Sequence, residues 1–314
     1  MRHHKGWLIA IALSASWVAN AQDADSLFIK PDSLLTLNDS LSIFKLIDSL
    51  LSLPEEKPAS QLGFRLMYNS NVLAAGRTLG IDQFGLSPGI SYYHKTGLYA
   101  DASFFWSKDF EPKYYLTILS AGYMHTFSKS FSVIASYDRY FYRFDEDFTP
   151  FENAVTVTPF LDFKYATIRF DYSYFFGDQQ VHRLLPSVSG KLEKKNFIGV
   201  DKIAFTPGVF VLLGNATITE IILPQTRAEW IIAWIKIQNG LPWYTVKSRN
   251  EFGIMNYAFT APLYAHYKNW TFSASYTYNI PKALPGETLT LSESGFISAS
   301  IMYLLTPRRK KPAL

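Results

Sequence analysis

The chain contains no cysteine among its 314 residues. That absence excludes a disulfide framework, a thiolate nucleophile and any metal site built on sulfur. Charge of one sign is scarce as well. The formal net charge is +4, and two of the 30 basic residues, Arg2 and Lys5, lie in a leader. The remaining balance of about +2 gives no electrostatic footprint for nucleic acid. Long hydrophobic runs are also missing. Past the leader, no stretch approaches the roughly 18 consecutive apolar residues of a helical membrane span.

The leader has three parts. Arg2 and Lys5 form a basic start, Trp7 to Val18 is mostly apolar, and Ala19-Asn20-Ala21 is an A-x-A tripeptide. This is the pattern of a secretory signal peptide. Its apolar part is shorter than the ~20 residues that span a bilayer as a helix. Cleavage is predicted after Ala21, so that the exported chain starts at Gln22.

What the chain does have is aromatic residues, 17% of the total, set in segments that alternate. In Leu98 to Trp106, one face reads Leu98, Ala100, Ala102, Phe104 and Trp106; the other reads Tyr99, Asp101, Ser103 and Phe105. Ala166–Phe176 and Trp270–Asn279 alternate in the same way. A period of 2 over ~10 residues is the length and rhythm of a tilted membrane strand. Trp and Tyr at strand tips match the aromatic girdles at lipid headgroups, where an amphipathic ring has one wet end.

Connections alternate in length as well. His94–Gly97, Ser128–Ser130, the Lys164-Tyr165 junction and Tyr267–Asn269 are short. Ser107–Lys113, Arg143–Asn153, Gly177–Gly199 and Pro281–Ser294 are long. Short turns on one side and long loops on the other match periplasmic and extracellular ends. The fold expected is all-β: a closed antiparallel transmembrane β-barrel of about 12 strands, with 10 to 14 admissible. Strands are expected at 61–73, 83–93, 97–107, 114–126, 131–142, 154–164, 166–177, 200–213, 250–266, 269–280 and 294–305. The strands at 200–213 and 250–266 are both expected to run down, with one upward strand between them, from Thr217–Leu223 or Glu229–Ile237. Trp230–Ile235 reads equally as a short helix. Pro88 and Pro159 fall inside predicted strands and each removes one ladder donor.

The domain plan is then a signal peptide at 1–21, a periplasmic segment at 22–60, the barrel at 61–306 and a basic tail at 307–314. The 22–60 segment repeats Asp-Ser-Leu four times. Within it Leu34, Leu37, Leu41, Phe44, Leu50 and Leu51 share roughly one helical face. It is either a helical or disordered tether, or a plug or docking helix for a periplasmic partner at 32–53. Asp-Ser-hydrophobic also resembles the O-glycosylation sequon that one group of Gram-negative bacteria uses on exported proteins. That resemblance implies glycans on Ser26, Ser33, Ser40 and Ser49.

A second resemblance lies near the C-terminus. Phe252-Gly253-Ile254-Met255-Asn256-Tyr257, Tyr267-Lys268-Asn269-Trp270-Thr271-Phe272 and Ser275-Tyr276-Thr277-Tyr278-Asn279-Ile280-Pro281 resemble the closing strands of an uncharacterised class of Gram-negative outer-membrane barrel proteins. The resemblance implies a barrel in the outer membrane, in contact with its lipid and lipopolysaccharide and with the barrel insertion machinery. It implies no activity.

Candidate chemistry is sparse. Nucleophilic catalysis needs a base within hydrogen-bond reach of a hydroxyl. None of His94, His125, His182 or His266 begins an H-x-S triplet that would set both on one face of a strand. No enzyme, cofactor or metal site is expected; the role expected is structural or partner-binding in the outer membrane, with a narrow channel for a small solute as the alternative and an outer-membrane lipid hydrolase as a remote one. The notable inward residues are charged: Arg65, Asp101, Asp138, Arg169 and Asp171. They either line a channel for a small solute or pair as a salt-bridge lock. Tyr93, Tyr99, Phe105, Tyr140 and Phe175 are expected beside them, and favour a partly filled lumen.

Overall fold

A computed structural model describes residues 60–71, 85–108, 111–143, 151–177, 180–287 and 291–305. The signal peptide, the Asp-Ser-Leu repeats and the basic tail lie outside these residues. The elements in chain order are β1 (Gln61–Asn69), β2 (Gly85–Tyr93), β3 (Leu98–Trp106), β4 (Tyr114–Thr126), β5 (Phe131–Tyr142), β6 (Asn153–Asp162) and β7 (Ala166–Phe176). Then come β8 (Gln180–Gly190), β9 (Leu192–Phe197), β10 (Val200–Phe205), β11 (Gly208–Ile222), helix α1 (Arg227–Gln238), β12 (Thr245–Tyr267), β13 (Trp270–Pro281) and β14 (Ser294–Leu305).

Twelve of these strands close into an antiparallel barrel. Sequential neighbours pair from β1 to β8; β8 pairs β11, β11 pairs β12, and the series runs on through β13 to β14. β14 returns to β1 in a register running from Leu62↔Leu305 to Asn69↔Ser298. Closure leaves no edge in the wall, which is what hydrocarbon demands, since lipid offers a free N–H or C=O no partner. Outward positions carry Phe64, Leu66, Ile90, Leu119, Phe141, Ile168, Phe259, Leu263 and Phe272, all exposed. An apolar band of this extent on a monomer calls for lipid around it. No helix among the described residues is long and apolar enough to cross a membrane, so the crossing elements are strands.

β9 and β10 are not separate staves of the wall. They continue β8 and β11 past the rim where the chain enters at Gln61, in an unbroken register from Gly208↔Ser189 to Phe205↔Leu192 and Val200↔Phe197. Ile198 and Gly199 turn the hairpin with φ of 51° and 79°, the left-handed pair that matches the twist of flanking strands. β9 ends the strand order with no second neighbour. Exposed Lys194 and Lys195 blunt that edge against further pairing.

Three expectations need correction here. Gly177–Gly199 is not a long loop: after the short connection at 177–179 it forms β8 and β9, and His182 stands in β8. The 200–213 stretch runs up rather than down, and Thr217–Leu223 is largely its continuation in β11. Glu229–Ile237 is helical. The count of twelve holds although one stave was misplaced.

The prolines show how a wall tolerates missing donors. Leu66↔Pro88 pairs on one side, while the β2–β3 ladder skips from Leu86↔Trp106 to Gly89↔Ser103. Val133↔Pro159 pairs, while β6–β7 skips from Val157↔Tyr172 to Phe160↔Arg169. Phe170↔Pro186 pairs, while β8–β11 skips from Phe210↔Ser187 to Leu213↔Leu184. In an antiparallel ladder a residue's N–H and C=O point to the same neighbour. Each proline therefore interrupts one seam and spares the other.

Candidate functional site

The interior of the barrel holds a small set of buried charges. Period-2 alternation turns Arg65, Asp101, Asp138, Arg169 and Asp171 inward, and four of them are buried, with Arg169 half-buried. The structure divides them into groups. On β1 to β3, Arg65 Nη2 lies 3.3 Å from Asp101 Oδ2 and donates to Ser103 Oγ at 2.7 Å. Asp101 also accepts from Ser103 at 2.6 Å and from Ser91. Its carboxylate thus accepts from three sides, while Arg65 Nε and Nη1 have no hydrogen-bond partner among the described residues, so the condition for keeping a charged pair out of water is met on the carboxylate side alone.

On β6 and β7, Arg169 Nε lies 3.1 Å from Asp171 Oδ2, and Thr158 donates to Asp171 Oδ1 at 2.6 Å. Asp138 stands apart from both pairs. It is 2% exposed, faces Ser120 across the β4–β5 ladder, and its Oδ1 has no hydrogen-bond partner among the described residues.

Sequence reasoning missed Arg183, because its segment was taken for a loop. Arg183 is buried on β8, and its Nη1 donates to the Asn215 carbonyl at 2.5 Å. A Cβ on Gly214 would collide with that guanidinium; the bare backbone on β11 lets it lie flat against the wall. Asn215 itself closes the seam where the β8–β11 ladder stops at Gly214↔Arg183. Its Oδ1 accepts from the His182 amide at 2.5 Å, and its Nδ2 donates to the Gln180 carbonyl at 3.2 Å. One side chain replaces a rung of backbone pairing.

Two apolar clusters lie beside these charges. Phe105, Leu116, Ile118, Tyr140, Ala154, Phe175 and Val181 form one apolar cluster with Phe151, which comes from the connection between β5 and β6. Phe151 is fully buried, with its ring 4.9 Å from that of Phe175 and 6.0 Å from that of Tyr140. A second cluster joins Ile134, Phe160, Leu185, Phe210, Leu212, Met255 and Ala258 with Leu284, from the connection between β13 and β14. Asn256 and Asn279 are wholly buried and bond to each other at 2.9 Å.

The histidines are dispersed. His94 bonds Thr96 at 2.8 Å in the β2–β3 turn, and His266 bonds Thr271 at 3.0 Å beside the β12–β13 turn. His125 stacks on Tyr123 on β4. His182 faces outward against Tyr174 and Tyr172.

No family model matches the chain, and no curated protein matches it in sequence. Solved structures with a similar course include the KdgM porin, at 10% identity over 77% of this chain and 98% of that one, with a TM-score of 0.42. The NanC porin is similar at 11% identity over 77% and 98%, with a TM-score of 0.39. LpxR from Salmonella typhimurium is similar at 11% over 77% and 99%, with a TM-score of 0.41. At these identities and scores the likeness assigns no activity.

Proposed function

We propose that the chain is an outer-membrane barrel whose interior is filled by its own side chains, and that it serves the envelope through its surfaces and rims as a structural or partner-binding protein. It is neither an open pore nor an enzyme in this reading. The observation that carries it is the burial of Phe151 and Leu284, two residues from connections at the rim opposite Gln61, inside the two apolar clusters of the interior. A conduit for water needs a continuous polar path, and two aromatic and aliphatic plugs interrupt it. The charged residues brace the wall rather than lock the lumen, because Arg65 holds a carboxylate two strands away and Arg169 holds one on its own strand. The Gram-negative outer membrane as the address rests on the closed apolar-faced wall, since helical spans are the rule in inner membranes and closed barrels meet the same hydrogen-bond demand with strands.

The test is reconstitution of the purified protein in planar bilayers. No steady single-channel steps are expected. Reproducible steps from the unmodified protein would replace this reading with that of a narrow channel.

A further inference from the structure

We infer that the rim at which the chain enters the wall is a seat for the phosphates of anionic phospholipid head groups, held by a ring of lysines in its turns. This rests on the reading above only in requiring a wall embedded in lipid; it does not require a closed lumen.

The first observation is the uniform sign of that rim. Twelve staves leave six junctions there: the one where β14 meets β1, and five that reverse the chain. Each of the five carries lysine. Lys95 lies between β2 and β3, Lys129 between β4 and β5, Lys164 between β6 and β7, Lys194 and Lys195 in the β9–β10 hairpin, and Lys268 between β12 and β13. All six are exposed. The acidic residues of the rim are engaged elsewhere. Glu193 stands 2.9 Å from Lys202, Asp162 stands 3.4 Å from Lys191, and Asp201 accepts from the Lys268 amide at 2.5 Å. Among the described residues, no carboxylate pairs with any of the six ammonium groups. The opposite rim carries both signs, with Lys108, Lys113, Arg143 and Lys282 near Glu111, Glu152, Glu287 and Glu293.

The second observation is the level at which these lysines sit. Tyr92, Tyr123, Phe163, Tyr267 and Trp270 are exposed on the outer side, at or near the ends of their strands. Aromatic rings in that position mark the head-group level of a membrane wall. The turn lysines follow them within a few residues. A lysine stem lies along apolar surface while its ammonium reaches the wet layer, and here that layer holds the lipid phosphates. Lys268 shows the arrangement directly: its Nζ stands 5.0 Å from the ring centre of Tyr267, which the alternation of β12 turns outward. That ammonium is held on the lipid side of the wall rather than over the lumen.

The third observation selects a leaflet over a compact partner. The lysines run round the rim instead of gathering in a patch. Neighbouring turns are two strands apart, at least about 10 Å at 4.7–4.9 Å per strand. That is close to the screening length at physiological salt, roughly 8 Å, so the charges act one by one. A folded partner or a single peptide would cover one arc of such a ring. The leaflet meets the rim on every side. A zwitterionic head group brings its own ammonium to its phosphate, whereas an anionic one leaves that charge for a lysine near the surface.

Trp270 supplies the reporter for the test. The full chain, with every other tryptophan changed to phenylalanine, is reconstituted in vesicles of phosphatidylcholine and phosphatidylglycerol, with bromine on the upper acyl chains of one lipid at a time. A heat-modifiable gel band establishes that each variant is folded. Brominated phosphatidylglycerol is expected to quench Trp270 as though enriched about fivefold at the rim, the ratio that about 1 kcal/mol per lysine sets. Lys268→Gln should bring that ratio close to one, and Lys268→Arg should keep it. A second variant that retains only Trp106, near the opposite rim, should show less than twofold. Equal quenching of Trp270 by the two lipids overturns the inference, as does a preference that survives Lys268→Gln or one equally strong at Trp106. A preference that emerges only when Asp32, Asp39, Asp48, Glu55 and Glu56 are changed to amides also overturns it, and gives the lysines to the chain's own segment. No quenching by either lipid would remove the embedded wall itself, so failure of that reading is told apart from failure of the lysine ring.

Discussion

Arg65 on β1 reaches Asp101 on β3 across the intervening strand, passing over Gly89. Its Nη2 stands 3.3 Å from the carboxylate, and a Cβ on residue 89 would lie 2.7 Å from that same nitrogen. The glycine is the gap through which the pair forms. Three strands are tied by one contact, and the tie depends on what the middle strand lacks.

That relationship predicts two results. Arg65→Met leaves Asp101 buried without its cation, and breaking a buried pair from one side costs about 3–5 kcal/mol. Arg65→Met with Asp101→Leu should be much milder, since apolar replacement of both partners is often neutral. Gly89→Val should resemble the single Arg65 variant, because it expels the guanidinium. Urea unfolding in detergent micelles, followed by the folded gel band, orders the three; equal loss from the single and double charge variants would show that the pair contributes nothing.

Phe151 and Leu284 offer a direct handle on the interior. Phe151→Ala removes a fully buried ring, for which a loss of about 3–5 kcal/mol is typical. With Leu284→Ala added, both plugs from the far rim are gone, and the expected outcome is small conductance steps in planar bilayers where the unmodified protein gives none. A double variant that folds and stays silent would show that Phe151 and Leu284 are not what closes the interior.

Glu229 makes α1 sensitive to acid. The carboxylate accepts from the Gln225 amide at 2.7 Å and the Thr226 amide at 3.2 Å, while Thr226 caps the Glu229 amide in return. Those backbone donors hold its carboxyl below the ordinary glutamate value, because hydrogen bonds to the charged form favour it. A depressed native pKa means that the contribution is complete above the ordinary value and is lost as pH falls through the depressed one. The Trp230–Trp243 stack should therefore loosen on the acid side of the glutamate range, seen as a shift in tryptophan emission. Glu229→Gln, which keeps the reciprocal cap without a titrating proton, should flatten that acid transition.

Most of the wall was legible because alternation is a local property. Segments such as Ala166–Phe176 carry their inward and outward faces in the order of residues, and β1 to β7 and β13 to β14 fall close to where that pattern puts them. β8 was not legible. Its inward face is Val181, Arg183, Leu185, Ser187 and Ser189, and its outward face starts with His182 and includes Pro186. A charge, an imidazole and a proline blur the period in both directions. The strand direction error at 200–213 followed from that one omission, since each missed stave reverses the next. The inward charges could be named from parity alone. Their partners could not, because pairing between β1 and β3 depends on register across β2 and on a glycine whose purpose shows only in three dimensions.

The seam between β8 and β11 is the place where the wall depends on a side chain, and Asn215 is the residue. The backbone ladder there skips Pro186 and ends at Gly214↔Arg183. Beyond it, the His182 N–H and the Gln180 C=O are both satisfied by the Asn215 amide. Asn215→Leu keeps the volume and removes both partners. Each backbone group left unpaired costs about 1–3 kcal/mol, and lipid on the outer side supplies no substitute. The expected outcome is local: the His182 amide exchanges with deuterium faster, by a hundredfold or more on those energies, while amides in the β1–β14 seam are unchanged. Asn215→Asp separates the two contacts, since a carboxylate still accepts from His182 but no longer donates to Gln180. Protection of His182 that survives in the aspartate and vanishes in the leucine variant would assign the seal to the accepting oxygen; unchanged exchange in both would mean that the strands hold together there without it.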